Sequence, residues 1–199
     1  MDIMKNFREI LREQYDALEE EEQSRAGKKY EKPSDGIYDD ASWHYKQGIL
    51  KKVPKEMGAT HIGFFLRWCR ERDLLSPALL EKLAKDRALY EDEPERWSYR
   101  TFVIQRMGGV FSRKDLTEEG QAFADVYYTG KKTAFSQEGG SFLENYEKLV
   151  NVLYRLNGRD YFRVKEIEAN YEKVRAMLDE RYGQFLGDTP PEEQETEKE

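Results

Sequence analysis

Apolar positions along this chain recur mainly at spacings of three and four, the period of helices that bury one face. Ile3, Phe7, Ile10, Leu11 and Leu18 form such a stripe over Asp2 to Gln23, with Arg and Glu opposite. Glu19 to Glu22 and a charged, glycine-containing stretch then lead to Pro33 as a connector. The most apolar segment follows, GATHIGFFLRWCRERDLLS. Ile62, Phe65, Leu66 and Cys69 share one stripe, and Phe64 and Trp68 widen it almost all round, which places this helix in the middle of a bundle. Pro77 to Leu89 gives another amphipathic helix through Leu79, Leu80, Leu83 and Leu89. Tyr99 to Met107 is shorter, stopped by Gly108-Gly109.

Capping signals place the remaining elements. Asp115 with Glu118 three residues on fits a capping box, opening a helix with Phe123, Val126 and Tyr127 inward and Gly130 at its end. Ser141 and Glu144 form a second box ahead of Leu143, Tyr146, Leu149, Val150 and Leu153. Tyr161 to Val164 reads as a short extended piece, and Lys165 to Leu186 as a last helix carrying Tyr171, Val174, Leu178 and Phe185. The expected fold is mainly α: a single-domain helical bundle of about five to seven helices with at most a minor β element. Residues 1–35 are expected to be an N-terminal amphipathic helix and connector, 36–187 the helical domain, and 188–199 a disordered acidic tail.

Composition narrows this picture. Charged residues make up 37% and hydrophobic ones 38%, yet aromatics reach 13%, with 13 Tyr and 10 Phe. Large rings bury much apolar surface each, so a true core is expected despite the polar average. Net charge is −7, of which the tail from Asp188, with six acids against Lys198, carries −5, leaving −2 for the rest. A nearly balanced body with no basic stripe argues against nucleic acid as a partner. The single cysteine excludes an internal disulfide and fits a reducing compartment. No run approaches the ~18 apolar residues of a membrane span, and the start is not a signal peptide. These readings lead to a cytoplasmic protein with no membrane partner.

One stretch, YDDASWHYKQGILKKVPKEMGATHIGFFLRWC from Tyr38 to Cys69, holds both histidines, the cysteine, two of the three tryptophans and an Asp-Asp pair. As a strand or as a short helix ended by Gly48, a spacing of four puts Asp40 and His44 on one side, so these two are expected to pair. Asp39 or Asp40 also suits a helix cap. Asp40, Ser42 and His44 are the wrong order in space for a serine triad, because the histidine must stand between acid and serine. His61 and Cys69 are eight residues apart on one helix, roughly 12 Å, and cannot share a metal. His44, His61 and an aspartate can converge through the loop from Gly48 to Lys55, but their spacing carries no metal signature; neither a metal nor a cofactor is expected. The plain structural reading makes His61 a first-turn residue under Phe64, Phe65 and Trp68, bonded to a carbonyl, and makes Cys69, Trp43 and Trp68 core. Phosphate-loop, dinucleotide, nucleophile-elbow and HExxH signatures are absent, so no catalytic residue is assigned.

YDDASWHY and GATHIGFFLRWC, with DLTEEGQAFADVYY and the ending ANYEKVRAMLDERYGQFL, resemble an uncharacterised bacterial family, a domain of unknown function. Its pattern is Y-D-D-A-S-W-H-Y, a short proline-containing loop, A-T-H-I-G with F-L-x-W, then D-L-x-x-E-G-x-A-F-A-x-x-Y-Y and an N-Y-x-x-V-type helix. The likeness spans Gly36 to Leu186; the N-terminal helix and acidic tail look like additions, and the loop KQGILKKVPKE is unusually basic for it. The resemblance implies a bacterial, compact intracellular domain and marks Asp39, Asp40, Ser42, Trp43, His44, Thr60 and His61 as its hallmark, the candidate binding residues.

Two functions remain open from sequence. The first is a non-catalytic protein-binding domain, such as an immunity or antitoxin-like partner, whose acidity speeds association with a basic protein. The alternative is an enzyme or small-ligand pocket built around Asp39, Asp40, His44 and His61 beside large aromatics. Self-association through the N-terminal stripe is a further expectation.

Overall fold

The computed structural model describes residues 36–45, 55–128, 133–154 and 164–187. The expected N-terminal helix with its self-association stripe, the loop after Tyr45, the stop at Gly130, the start of the extended piece at Tyr161 and the acidic tail lie outside these residues.

Strand β1, Ile37–Asp40, passes directly into the short helix α1, Ala41–Tyr45. A 3-10 turn, Lys55–Ala59, feeds α2, Thr60–Glu71, whose residues Thr60 to Leu66, Trp68 and Cys69 are all buried. This is the central helix that the all-round apolar pattern called for. Phe65 sits in a ring cluster with Trp68, Phe111, Phe123, Tyr128 and Phe142, at centroid distances from 4.8 to 6.4 Å. Offset and edge-on aromatic pairs at such separations add to the burial of large apolar areas.

Helix α3, Pro77–Ala88, starts where Ser76 accepts a hydrogen bond from the Leu79 N–H and Pro77 occupies the first turn, a preferred start. Leu79 and Leu83 face the core, but Leu89 is 70% exposed: the helix has ended by then, so the period no longer carries it inward. Helix α4, Tyr99–Arg106, is capped by Ser98 and ends before Gly108 and Gly109, both at positive φ (68° and 83°), where a side chain is strained. These glycines turn the chain into β2, Val110–Ser112, which pairs antiparallel with β1 through Ile37 opposite Ser112, Asp39 opposite Phe111 and Asp40 opposite Val110. This two-stranded sheet is the minor β element in a mainly α fold.

The capping box expected at Asp115 and Glu118 sits one turn earlier. Ser112 and Asp115 form it around a 3-10 turn, and Thr117 caps α5, Glu118–Tyr127, by accepting from the Gly120 N–H. Helix α6, Ala134–Gly139, and α7, Phe142–Tyr154, follow; the Ser141–Glu144 box opens α7 as expected. Helix α8, Glu168–Leu186, ends at Gly187 with φ 83° and buries Tyr171, Val174 and Leu178. It is tied to α2 at three points. Trp68 Nε1 donates to Asp179 (2.7 Å), Arg67 forks onto Glu168 (2.7 Å twice), and the Tyr171 hydroxyl donates to Glu71. No helix of the described residues is long and apolar enough to cross a membrane.

Two backbones come close where α2 meets the start of α4. A Cβ on Gly63 would stand 2.9 Å from the Arg100 nitrogen and 3.2 Å from the Tyr99 carbonyl carbon, so only glycine fits this crossing. Beyond it, the Glu166 carboxylate receives the N–H groups of Tyr99 (2.8 Å) and Arg100 (3.0 Å) at the exposed donors of the α4 terminus.

Candidate functional site

The hallmark stretch changes from strand to helix between Asp40 and Ala41, and this junction decides what each residue can reach. β1 has a register irregularity between Ile37 and Asp39 and buries Tyr38 and Asp39 in succession, Asp39 at 1% exposure, while Asp40 stays nearer the surface. Asp40 Oδ1 accepts from the Ser42 N–H at 2.7 Å and so opens α1. His44, one turn into α1, points back at Asp39 rather than Asp40. The expected Asp40–His44 pair is therefore replaced by Asp39–His44, because a spacing of four fixes a common side only within one regular element. Ser42 and Trp43 are half-buried, so Trp43 is not the core anchor that Trp68 is.

The carboxylate of Asp39 gathers three side chains, one from five residues on and two from farther along the chain. His44 Nε2 lies 2.6 Å from Oδ1, His61 Nε2 lies 2.8 Å from Oδ2, and the Tyr128 hydroxyl donates to Oδ2 at 2.8 Å. His61 comes from the first turn of α2, and Tyr128 follows the last turn of α5. His61 Nε2 thus meets a carboxylate, where the sequence reading gave His61 a nearby carbonyl. The two imidazoles meet edge to face with centroids 4.5 Å apart, and His61 also faces the Tyr146 ring at 5.9 Å. All four residues are buried. Tyr128 is the member that sequence reasoning missed. It closes the DLTEEGQAFADVYY motif, and an inward tyrosine near a motif's end was the available signal.

Burial alone would push the Asp39 carboxyl up, since a charge loses its water. The charge interaction with His61 and the hydrogen bonds from both imidazoles outweigh it and hold Asp39 well below the usual carboxylate range. His61 moves down from its ordinary 6.5, first through burial and then through the neighbouring His44, against the pull of Asp39. An ionised carboxylate only accepts, so both Nε2 atoms carry their hydrogens in this arrangement. Burial pushes the Cys69 thiol up, as fits an inert core residue. Thr60, beside His61, has a fully buried hydroxyl with no hydrogen-bond partner among the described residues.

The described cavities lie elsewhere. A groove of about 790 Å³ runs between α3 and the segment from Tyr90 to Trp97, and a second cavity of about 420 Å³ adjoins it, lined by Arg67, Glu71, Ser98, Glu166 and Glu168 among others. Neither is lined by Asp39, His44 or His61. The groove is lined by Leu80, Leu83, Ala84 and Trp97, with Arg70, Arg87 and Glu91 as its charged residues. Trp97 is held by an Nε1 hydrogen bond to Asp86 (3.0 Å) and an edge-on contact with Tyr99 (4.8 Å). The Arg87 guanidinium stands over its ring at 5.4 Å, and Arg70 reaches only the Tyr99 hydroxyl, at 3.4 Å.

Residues 37–157 match the family described as Domain of unknown function (DUF7832), which is more than half of the chain. The match contains Asp39, His44, His61 and Tyr128. Neither the curated proteins nor the solved structures give a match.

Proposed function

We propose, from the premise that this chain belongs to the DUF7832 family of domains of unknown function, that it is a non-catalytic protein-binding domain, an immunity or antitoxin-like partner in the bacterial cytoplasm. The groove beside Trp97 carries this reading. Its residue types are those that supply binding energy at protein interfaces: a tryptophan already fixed in place, leucines, and two exposed guanidiniums. Neither Arg70 nor Arg87 has a carboxylate partner among the described residues. A nucleophile paired with a base, the mark of a hydrolytic centre, is missing from the groove lining.

The occupant that suits this groove is a protein segment presenting a carboxylate beside a large apolar side chain. The apolar side chain would lie against Trp97 and Leu80, and the carboxylate would take Arg70 or Arg87. This chemistry differs from the basic partner that net charge alone suggests, since Arg70 and Arg87 outnumber Glu91 in the groove lining.

The test is affinity capture with the full chain as bait, followed by reconstitution with the purified partner. A stoichiometric complex is expected, weakened at least tenfold by Arg87→Glu or Arg70→Glu and unaffected by Lys114→Glu, an exposed residue outside the groove lining. Absence of a stoichiometric complex, or one indifferent to both arginine reversals, overturns the reading.

A further inference from the structure

We propose that Asp39, His44 and His61 form a site for a divalent transition-metal ion of the zinc class, bound through a carboxylate oxygen and the two Nε2 atoms, with Tyr128 holding the carboxylate. The inference is independent of the groove and its partner.

Geometry is the first support. One ligating atom from each residue lies within 4.8 Å of the others, and all three residues are buried. Two imidazoles with one carboxylate is a donor set that suits zinc and its neighbours, whereas calcium and magnesium seek oxygen ligands alone. The ligands come from β1, α1 and the start of α2, so an ion there would fasten three elements at one point.

Charge is the second support. Asp39 is a carboxylate at 1% exposure whose partners are two imidazoles and a phenol; among the described residues no guanidinium or ammonium reaches it. A buried carboxylate ordinarily has a cationic partner, because removing its water is costly otherwise. A divalent ion supplies that missing positive charge.

The surroundings are the third. The Tyr128 hydroxyl fixes Oδ2 from outside, the kind of hydrogen bond that orients a ligating carboxylate. The Phe65 ring packs on Tyr128 at 4.8 Å and Tyr146 on His61 at 5.9 Å, an aromatic wall beside the ligands, and a water would take the fourth position of a tetrahedral ion. Entry of the ion requires a small opening. The present N–O separations of 2.6 and 2.8 Å would widen to about 3.3 Å, the spacing of two ligands on a tetrahedral zinc. To bind an ion, each imidazole would present Nε2 without its hydrogen, with the ring hydrogen on Nδ1.

The experiment uses the full chain, stripped with a chelator and then titrated with zinc or with cobalt(II) as a coloured probe. The expected result is one equivalent taken up, the visible ligand-field bands of cobalt bound to nitrogen and oxygen, and a raised unfolding temperature. His44→Ala and His61→Ala should each abolish the bands. Tyr128→Phe retains all three ligands and should weaken zinc binding by about 10–100-fold, the usual effect of losing an orienting hydrogen bond. If the ligand variants fail to fold, the wild-type spectrum and Tyr128→Phe decide. A stripped chain that binds neither ion overturns the proposal and leaves a hydrogen-bonded clasp only. Uptake that gives no ligand-field bands, or that Tyr128→Phe leaves unchanged, overturns it equally.

Discussion

His44 and Asp39 are five residues apart, and the chain turns from strand to helix between them to bring Nε2 to within 2.6 Å of Oδ1. Breaking this contact from either side should differ in cost. His44→Ala removes one donor and is expected to lower stability by about 1–3 kcal/mol. Asp39→Ala strands His44, His61 and Tyr128 together and should cost about 3–5 kcal/mol, the scale of a broken buried pair. Asp40→Asn, which keeps an acceptor for the Ser42 N–H, should cost less than about 1 kcal/mol. Denaturant unfolding under identical conditions gives the order directly; Asp40→Asn as the worst variant would sink the assignment.

Acid should weaken the chelator-treated protein in two stages. His61 lies below its ordinary 6.5 in the folded state, so the unfolded chain binds more protons as pH falls through 6.5, and stability drops with it. Asp39 lies below its ordinary 3.8 and adds a further loss under that value. Glu166 acts in the opposite sense, since burial raises its carboxyl above 4.5, and its contribution is lost as pH rises through that region. His61→Gln isolates the first effect: it should flatten the stability profile between pH 6.5 and the carboxylate range. An unchanged slope in this variant would mean that His61 is not the group responsible.

Gly63→Ala sets two effects against each other. Alanine gains about 1 kcal/mol of helix propensity over glycine. The added Cβ meets the backbone of Tyr99 and Arg100, which cannot swing aside as a side chain would. Overpacking of about 1–3 kcal/mol should win, giving a net loss of about 1 kcal/mol. A stabilised variant by thermal unfolding would show that α2 and α4 are free to move apart.

Thr60→Val replaces a buried hydroxyl that has no partner with a methyl of similar shape. Removing an unsatisfied polar group should raise stability by about 1 kcal/mol. Calorimetry on the two proteins checks it, and a fall in midpoint would mean that the hydroxyl has a role the folded contacts do not reveal.

Much of the helical framework was legible in the sequence because long elements carry their own period. The buried helix at Thr60–Glu71 and the stop at Gly108-Gly109 follow from patterning and backbone chemistry alone. Strand β2 was not legible: three residues are too few to establish alternation, and its pairing with β1 joins segments about 70 residues apart in sequence. The candidate site was half legible. Asp39, His44 and His61 were all singled out, but periodicity paired the wrong aspartate, since it cannot anticipate an element change inside a motif. Tyr128 was not singled out, because periodicity marked its neighbour Tyr127 as the inward ring.

The order of synthesis adds a consequence to the packing of α8. Trp68, Arg67 and Glu71 on the central helix find their partners at Asp179, Glu168 and Tyr171, about 100 residues later. A chain emerging from the ribosome at about 5–20 residues per second therefore carries a finished α2 for several seconds before α8 exists to cover it. During that interval the aromatic face around Trp68 and Phe123 stays open to solvent and to other chains. Folding of this domain therefore waits on the synthesis of α8, and the interval, not the finished fold, is when it is most exposed to aggregation.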